Sequence, residues 1–388
     1  MKARLLILTA GFGEGHNAAA RALAAGCDER YGAGTAQVAD IYEHAAPRVN
    51  EVVRRGYLRL INRAPRVWAA TYRWIDRSST VPYLLRGMPR ERRVLRNLIE
   101  RERPEAICCT YPAYAFMLKE LARRGRLDMP FFNIVTDSIS INSLWWRAGA
   151  AGWFLPNEDS AAVLRQAGVD SRRLHVTGFP VPMFFHLHAD RLKPPALDTG
   201  ATPRVLYIIN SGTRGAAETA RRLLTETSWE VTCTVGRNDA LRDELGQLAA
   251  RRTAPTRILG WTDEIPQLLL THHIVVGKAG GATTQEALAA RCPMIVNQIV
   301  PGQEEGNYEL LRRSGVGALA ETPERVLSEL HRAFETRGQV WRAWRAALAP
   351  LSKPTAAVDI VEQVFTRIQH SATAEPVPLP LRPAVTSA

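Results

Sequence analysis

Near the N-terminus stands Arg4-Leu5-Leu6-Ile7-Leu8-Thr9-Ala10-Gly11-Phe12-Gly13-Glu14-Gly15-His16-Asn17-Ala18-Ala19-Ala20. An apolar β-forming run meets a glycine turn and then an alanine-rich helix. Gly11, Gly13 and Gly15 let the backbone turn sharply and approach a ligand closely. The helix N-terminus that follows favours an anion or developing negative charge. A dinucleotide fingerprint is one reading, with Asp40 at the end of the next strand as the ribose acid. The spacing argues against it: the third glycine comes two residues after the second, and His16 stands where a small residue should pack. His16 sits at the carboxyl end of the first strand. An imidazole titrating near pH 6.5 suits a general base, and a helix-capping role is the alternative.

Outward from this stretch, short apolar runs alternate with helical ones. Strands are expected at residues 4–9, 36–40, 105–110, 131–136, 153–155 and 174–177, then at 205–210, 230–235, 257–259, 274–276, 294–297 and 317–319. Amphipathic helices are expected between them, for example at 17–28 and 159–167. This is the pattern of an α/β chain with parallel sheets covered by helices. It pauses over residues 181–203, which hold Pro182, Pro194, Pro195 and Pro203. The expected organisation is a Rossmann-like domain over 1–180, a linker over 181–203 and a second domain over 204–352. A C-terminal helix over 353–370 follows, placed to pack back on the first domain, and then a disordered tail over 371–388. Two such domains leave a cleft at the carboxyl ends of their strands, where open α/β sheets bind ligands.

The second half carries its own glycine loop, Gly277-Lys278-Ala279-Gly280-Gly281-Ala282-Thr283-Thr284-Gln285-Glu286, between a strand and a helix expected to begin near Thr284. Gly280 and Gly281 can present bare amides to a diphosphate, and Thr283 and Thr284 can add hydroxyls. The spacing is not that of a P-loop. Glu286 has two readings: the acid of a Thr283-x-x-Glu286 capping box, or a carboxylate holding ribose hydroxyls. Further on, Pro301-Gly302-Gln303-Glu304-Glu305-Gly306-Asn307 offers Gln303, Glu304 and Asn307 to sugar hydroxyls. No Asp-x-Asp occurs, so a leaving diphosphate would rely on amides, a helix dipole and cations. Lys278, Arg214 and Arg237 are the candidates. The Asn210-Ser211-Gly212-Thr213-Arg214-Gly215 turn would face the same cleft.

At these loops the chain resembles glycosyltransferase family 28, most closely the branch of monogalactosyldiacylglycerol synthase and bacterial processive diacylglycerol glucosyltransferases. The shared pieces are Gly13-x-Gly15-His16-x-x-Ala19-Ala20, Thr136-Asp137 followed by Ser143-Leu144-Trp145, and Gly178-Phe179-Pro180-Val181. The second half adds Gly260-Trp261, the Lys278–Ala287 loop and Pro301-Gly302-Gln303-Glu304-x-x-Asn307. The resemblance implies a GT-B fold, a UDP-sugar donor, inversion at the anomeric carbon, and neither metal nor cofactor. It implies His16 at the acceptor hydroxyl beside Gly13 and Gly15, with Asp137 orienting it or taking over as base. On the donor side it places Gly280, Gly281 and Thr283 at the diphosphate, Glu286 at the ribose, Gln303 and Glu304 at the sugar, and Gly260 and Trp261 beside the base. One position departs. Relatives acting on diacylglycerol commonly carry a histidine after the Thr-Asp pair, where this chain has Asn142, and a neutral amide cannot act as a base.

Charge is localised. The 388 residues carry a formal +12, yet residues 44–103 alone hold fifteen arginines against five acids. The same segment carries Tyr57, Trp68, Tyr72, Trp74 and Tyr83. Arginines interleaved with aromatics suit an anionic membrane surface, with Arg54, Arg55, Arg59, Arg63, Arg66, Trp68 and Trp74 as candidates. A solvated basic helix is the plainer reading. No RNA-binding or zinc-finger signature accompanies the charge, so a nucleic-acid partner is not expected. Five cysteines without a Cys-x-x-Cys, no secretory signal pattern and no long apolar run fit a cytoplasmic protein, peripheral on the inner face of the cell membrane. The expected activity is transfer of a hexose from a UDP-sugar to a lipid acceptor, diacylglycerol or a related glycolipid. A UDP-sugar 2-epimerase or a non-catalytic nucleotide-sugar binder on the same architecture are the competing readings.

Overall fold

The computed structural model describes residues 4–210, 215–302 and 304–373. Ser211, Gly212, Arg214, Gln303 and the segment 374–388 therefore lie outside the described residues. Among the described residues twelve strands form two parallel sheets, at the positions expected from the apolar runs to within two residues at either end. The first half runs β1 (Leu5–Thr9), α1 (Glu14–Tyr31), β2 (Ala36–Asp40), α2 (Ile41–Ala45), α3 (Pro47–Arg63), α4 (Pro65–Arg77), α5 (Thr80–Gly87), α6 (Pro89–Glu102), β3 (Ala106–Cys109), α7 (Ala113–Arg123), β4 (Phe131–Ile134), α8 (Leu144–Arg147), β5 (Gly152–Leu155), α9 (Glu158–Gln166) and β6 (Leu174–Val176). After α10 (Met183–His188) the second half runs β7 (Arg204–Ile208), α11 (Ala216–Glu226), β8 (Glu230–Thr234), α12 (Asp239–Ala249), β9 (Thr256–Leu259), α13 (Ile265–Thr271), β10 (Ile274–Lys278), α14 (Gly281–Ala289), β11 (Met294–Gln298), α15 (Glu305–Arg313), β12 (Ala318–Leu319), α16 (Pro323–Ala347) and α17 (Ala356–Thr373).

The strand orders are β2-β1-β3-β4-β5-β6 and β12-β11-β10-β7-β8-β9. Leu5 faces both Ala36 and Ala106 in register, so β1 lies between β2 and β3. β7 lies between β8 and β10 in the same way. Chain direction across the sheet therefore reverses between β1 and β3, and again between β7 and β10. These are the crevices where doubly wound sheets take ligands, and each glycine loop follows one of the strands that make them. The architecture is a two-domain GT-B fold.

Residues 181–203 are packed rather than loose. Val181, Phe185 and Leu197 are buried in the core of the second half, and Pro195 O lies 2.9 Å from His273 Nε2. The last helix crosses back to the first sheet. Ile360, Val361, Val364 and Phe365 of α17 share a core with Leu5, Ile7 and Phe132. α17 runs through Thr373, three residues past the expected end of the helix. Gly26 of α1 is needed at this contact, because a Cβ there would come 3.1 Å from the Ala357 carbonyl carbon. The five cysteines are free and buried.

Candidate active site

α1 begins at Glu14, with Gly13 as its N-cap at φ 120°, a conformation that suits glycine. This start carries His16 into the crevice between β1 and β3. Its Nδ1 lies 2.7 Å from Thr110 O at the end of β3, and 3.0 Å from Thr136 Oγ1 after β4. A carbonyl oxygen only accepts, so Nδ1 carries the proton and the lone pair is on Nε2. The ring packs edge-on to Tyr111 at 5.1 Å. Burial lowers its pKa to about 4, well below the 6.5 of a free imidazole. His16 is therefore neutral at physiological pH, with Nε2 able to receive a proton.

Asp137 does not orient His16. Its Oδ2 accepts from Trp145 Nε1 at 2.8 Å and lies 3.5 Å from the Tyr72 hydroxyl, while Thr110 and Thr136 hold the histidine. Burial raises the Asp137 pKa to about 6, against the lowering pull of its hydrogen bonds to Trp145, the Asn142 backbone and Tyr72. Asn142 is buried. Its Oδ1 caps the Leu144 amide at 3.1 Å, and its side chain bonds the Tyr72 hydroxyl. The residue that departs from the family pattern therefore organises the Asp137 pocket. Asp40 is consumed structurally. Its Oδ2 accepts from the Gly11 amide at 2.9 Å, and its Oδ1 caps α2 through Tyr42 and Glu43. It is not free to act as a ribose acid.

The second glycine loop meets the first. A Cβ on Gly15 would lie 3.8 Å from the Ala282 amide, and one on Gly281 would lie 3.6 Å from Thr136 O. The N-termini of α1 and α14 thus approach across the cleft, each with its positive dipole end toward the shared space. The close approach continues at Gly306, where a Cβ would meet Ser138 O at 1.8 Å, and at Gly302, which lies against Ala69 and Tyr72 of α4.

Several donor-side expectations change. α14 starts at Gly281 with Gly280 as N-cap and no side-chain cap, so Thr283 and Glu286 form no capping box. Glu286 is half-buried, and desolvation pushes its pKa up to about 7; Arg21 of α1 opposes the shift and Glu14 adds to it. Thr284 turns into the core, its hydroxyl 3.9 Å from Met294 Sδ, because it lies on the sheet-facing side of the helix. Lys278 is not a free phosphate cation, since its Nζ pairs with Glu304 Oε1 at 2.7 Å. Glu304 Oε2 takes the Val300 amide at 3.0 Å, so both carboxylate oxygens are engaged. Asn307 donates to Ala279 O at 2.9 Å and tethers α15 to the glycine loop, and its Oδ1 is buried without a hydrogen-bond partner among the described residues. Trp261 is 67% exposed beneath the Arg237 guanidinium at 5.6 Å. Gly260 beside it lies against Gly236 O, and together these shape an open shelf.

The basic segment divides in two. Trp68 faces inward, against Tyr57 at 5.0 Å and Tyr72 at 5.9 Å, because α4 lies over the cleft. Arg54 and Arg55 are tied to Glu51, and the Arg54 Cδ would lie 3.6 Å from a Cβ on Gly11. Arg59, Arg63 and Arg66 point outward and have no ion pair among the described residues. Beside them Val52 is 70%, Trp74 60% and Tyr83 69% exposed. No described helix is long and apolar enough to cross a membrane.

Residues 16–181 match the family model for monogalactosyldiacylglycerol (MGDG) synthase. In sequence the chain is similar to that branch. It is 25% identical over 334 residues to a processive diacylglycerol beta-glucosyltransferase of Bacillus licheniformis, covering 84% of this chain and 85% of that one. The Bacillus subtilis protein of the same description is 25% identical over 336 residues, covering 84% and 86%. Among solved structures, Acinetobacter baumannii MurG superposes with a TM-score of 0.58 at 13% identity, over 94% of this chain and 99% of that one. A Neisseria meningitidis UDP-GlcNAc 2-epimerase bound to UDP-GlcNAc gives 0.56 at 13% identity, over 93% and 99%. At that identity the structural likeness shows the shared GT-B fold alone. Both of these Bacillus relatives are described as transferases.

Sequence reasoning gave no role to the residues that hold the site. Thr110 and Thr136 fix the histidine tautomer, while Tyr72 and Trp145 hold Asp137. The available signal was position: Thr110 ends an expected strand and Thr136 precedes Asp137, both at carboxyl ends that face the crevice.

Proposed function

We propose that this chain is an inverting glycosyltransferase that moves a hexose from a UDP-sugar to a lipid hydroxyl, diacylglycerol or a related glycolipid. The observation that carries the reading is His16. Its Nδ1 is tied down, which leaves the lone pair on Nε2, and the neighbouring Gly15 stands against the N-terminus of α14. The lipid hydroxyl gives its proton to Nε2 while its oxygen attacks the anomeric carbon. The bond from that carbon to the diphosphate oxygen breaks on the opposite face, and UDP leaves with the electron pair. The amides of Gly280 and Gly281, the α14 dipole and the Thr283 hydroxyl stabilise the departing charge. Glu286 holds the ribose, and the Trp261–Arg237 shelf takes the base. The first half takes the acceptor and the second the donor.

The enzyme would work at the cytoplasmic face of a membrane, docked through α3, α4 and α5. Arg59, Arg63 and Arg66 meet anionic headgroups there, while Val52, Trp74 and Tyr83 enter the interface. The deciding experiment incubates the protein with a panel of UDP-sugars and a lipid extract, read by mass spectrometry. A hexosylated lipid is expected. A C2-epimerised nucleotide sugar formed without lipid would instead make the chain an epimerase.

A further inference from the structure

A second basic feature lies away from the cleft. A cavity of about 160 Å³ opens where the first half of α6 meets the end of α7, and five of its seven lining residues are Arg92, Arg93, Arg96, Arg124 and Arg126. No carboxylate lines it. α7 starts just after Tyr111, beside His16, and its eleven residues carry the chain about 16 Å before the cavity's Arg124 and Arg126.

The local acids neutralise only part of this cluster. Glu120 takes Arg124 at 2.6 Å but also holds Arg123, which is not in the lining. Arg92 spends one N–H on Arg86 O at 2.6 Å. Arg96 forms an ion pair with Glu100 Oε1 at 3.4 Å, yet its buried Nε makes no hydrogen bond. Arg93 and Arg126 are exposed and have no ion pair among the described residues. Guanidinium groups converging on one concavity repel one another unless an anion sits among them, and their forked donors match phosphate oxygens.

We propose that this cavity is a phosphate-ester binding site, separate from the nucleotide-sugar cleft. Its rim favours a lipid-borne phosphate. Arg92 is bonded to the end of α5, where the Arg86 guanidinium lies 5.7 Å from the Tyr83 ring and both Tyr83 and Leu84 are exposed. A headgroup in the cavity would leave its acyl chains beside those two side chains.

The test compares wild type, Arg93→Glu/Arg126→Glu and a control of equal charge change at exposed arginines of the second half, Arg251→Glu/Arg325→Glu. One arm titrates inorganic phosphate at constant ionic strength and reads thermal stability. The other sediments the proteins with phosphatidylcholine vesicles with and without phosphatidic acid. Wild type and control should show saturable stabilisation by phosphate, and the cavity variant should need at least about tenfold more. The lipid-borne source predicts a further loss of the phosphatidic acid preference in the cavity variant, beyond that of the control. Response to soluble phosphate alone supports the site with a free phosphate as its ligand. No saturable response in either arm, or equal loss in both variants, overturns the proposal. UDP binding checks that each variant folds, and Arg93→Gln/Arg126→Gln replaces the charge reversal if it does not. Because the phosphate arm involves neither donor nor acceptor, it succeeds or fails independently of the proposed transfer.

Discussion

Replacing His16 by alanine removes the group proposed to take the acceptor proton, and the structure sets the size and pH dependence of the effect. A positioned general base contributes about 10²–10⁴ in rate, or about 3–5 kcal/mol of barrier. Transfer should fall by that factor, while UDP affinity, which the proposed mechanism assigns to the other half of the cleft, stays the same. The pH profile distinguishes the two candidate bases. Burial holds His16 at about 4 and Asp137 at about 6. If His16 is the base, wild-type kcat/KM for the acceptor at saturating UDP-sugar is flat from pH 8 to near 5 and falls only towards 4. If Asp137 is the base, the fall comes near 6. Stability gives an independent check. A histidine whose folded pKa is depressed from 6.5 to about 4 makes the unfolded chain bind more protons between those values. Stability then rises with pH across that window, by up to about 3 kcal/mol. The contribution is complete above 6.5 and is lost as pH falls towards 4. His175, His272 and His273 are also depressed to about 4 by burial, but they occur in both proteins and cancel in the difference. The stability difference between wild type and His16→Ala should therefore narrow on acidification, read by urea unfolding at pH 7 and 4.5. Mass-spectrometric product assays read turnover, and calorimetry reads UDP binding. Turnover of His16→Ala within about tenfold of wild type, or an acid limb near 6 that disappears in Asp137→Asn, would refute the reasoning.

Three further outcomes follow from the site. Asp137→Asn keeps an acceptor for Trp145 Nε1 and removes a buried charge whose pKa is raised from 3.8 to about 6. It should be more stable than wild type above pH 6 by up to about 3 kcal/mol, with the gain gone below pH 4; lower stability at pH 8 would show that the hydrogen bonds outweigh burial. Glu286 titrates near 7, and only its ionised form accepts two ribose hydroxyls, so UDP affinity should rise from pH 6 to 8. Glu286→Gln should abolish that slope and weaken UDP binding about tenfold or more, and calorimetry showing unchanged affinity would remove Glu286 from the donor site. Reversing Arg59, Arg63 and Arg66 together should weaken sedimentation with anionic vesicles about a hundredfold, at roughly 1 kcal/mol per cation, with UDP affinity intact. Equal binding of wild type and variant would leave these arginines as a solvated face.

Much of the fold could be read directly because buried parallel strands are continuous apolar runs bounded by turns. Leu5-Leu6-Ile7-Leu8 and Ile274-Val275-Val276 needed no tertiary information. Side-chain direction was harder. Thr283 and Thr284 look alike as adjacent hydroxyls, but one helical step separates a cleft position from a core position against Met294. Trp68 and Trp74 both read as interfacial aromatics, yet six residues turn them about 120° apart around the helix, one over the cleft and the other in solvent. The reading of Glu286 as a cap failed because the helix begins at Gly281, and helix starts in glycine-rich loops have weak local signals.

The sequence by itself determined the alternating α/β plan, both glycine loops and the arginine-rich segment, because these depend on residue type and local order. Tertiary structure decided what the titratable groups can do. Thr110 and Thr136 follow strands far along the chain, and only their convergence on His16 sets its tautomer. Burial, a property of the assembled molecule, takes His16 down to about 4 and Glu286 up to about 7. Lys278 and Asp40, chemically suitable in isolation, are spoken for by Glu304 and by the Gly11 amide. A side chain's chemistry is local, but its charge state and its free lone pairs depend on what the fold packs around it.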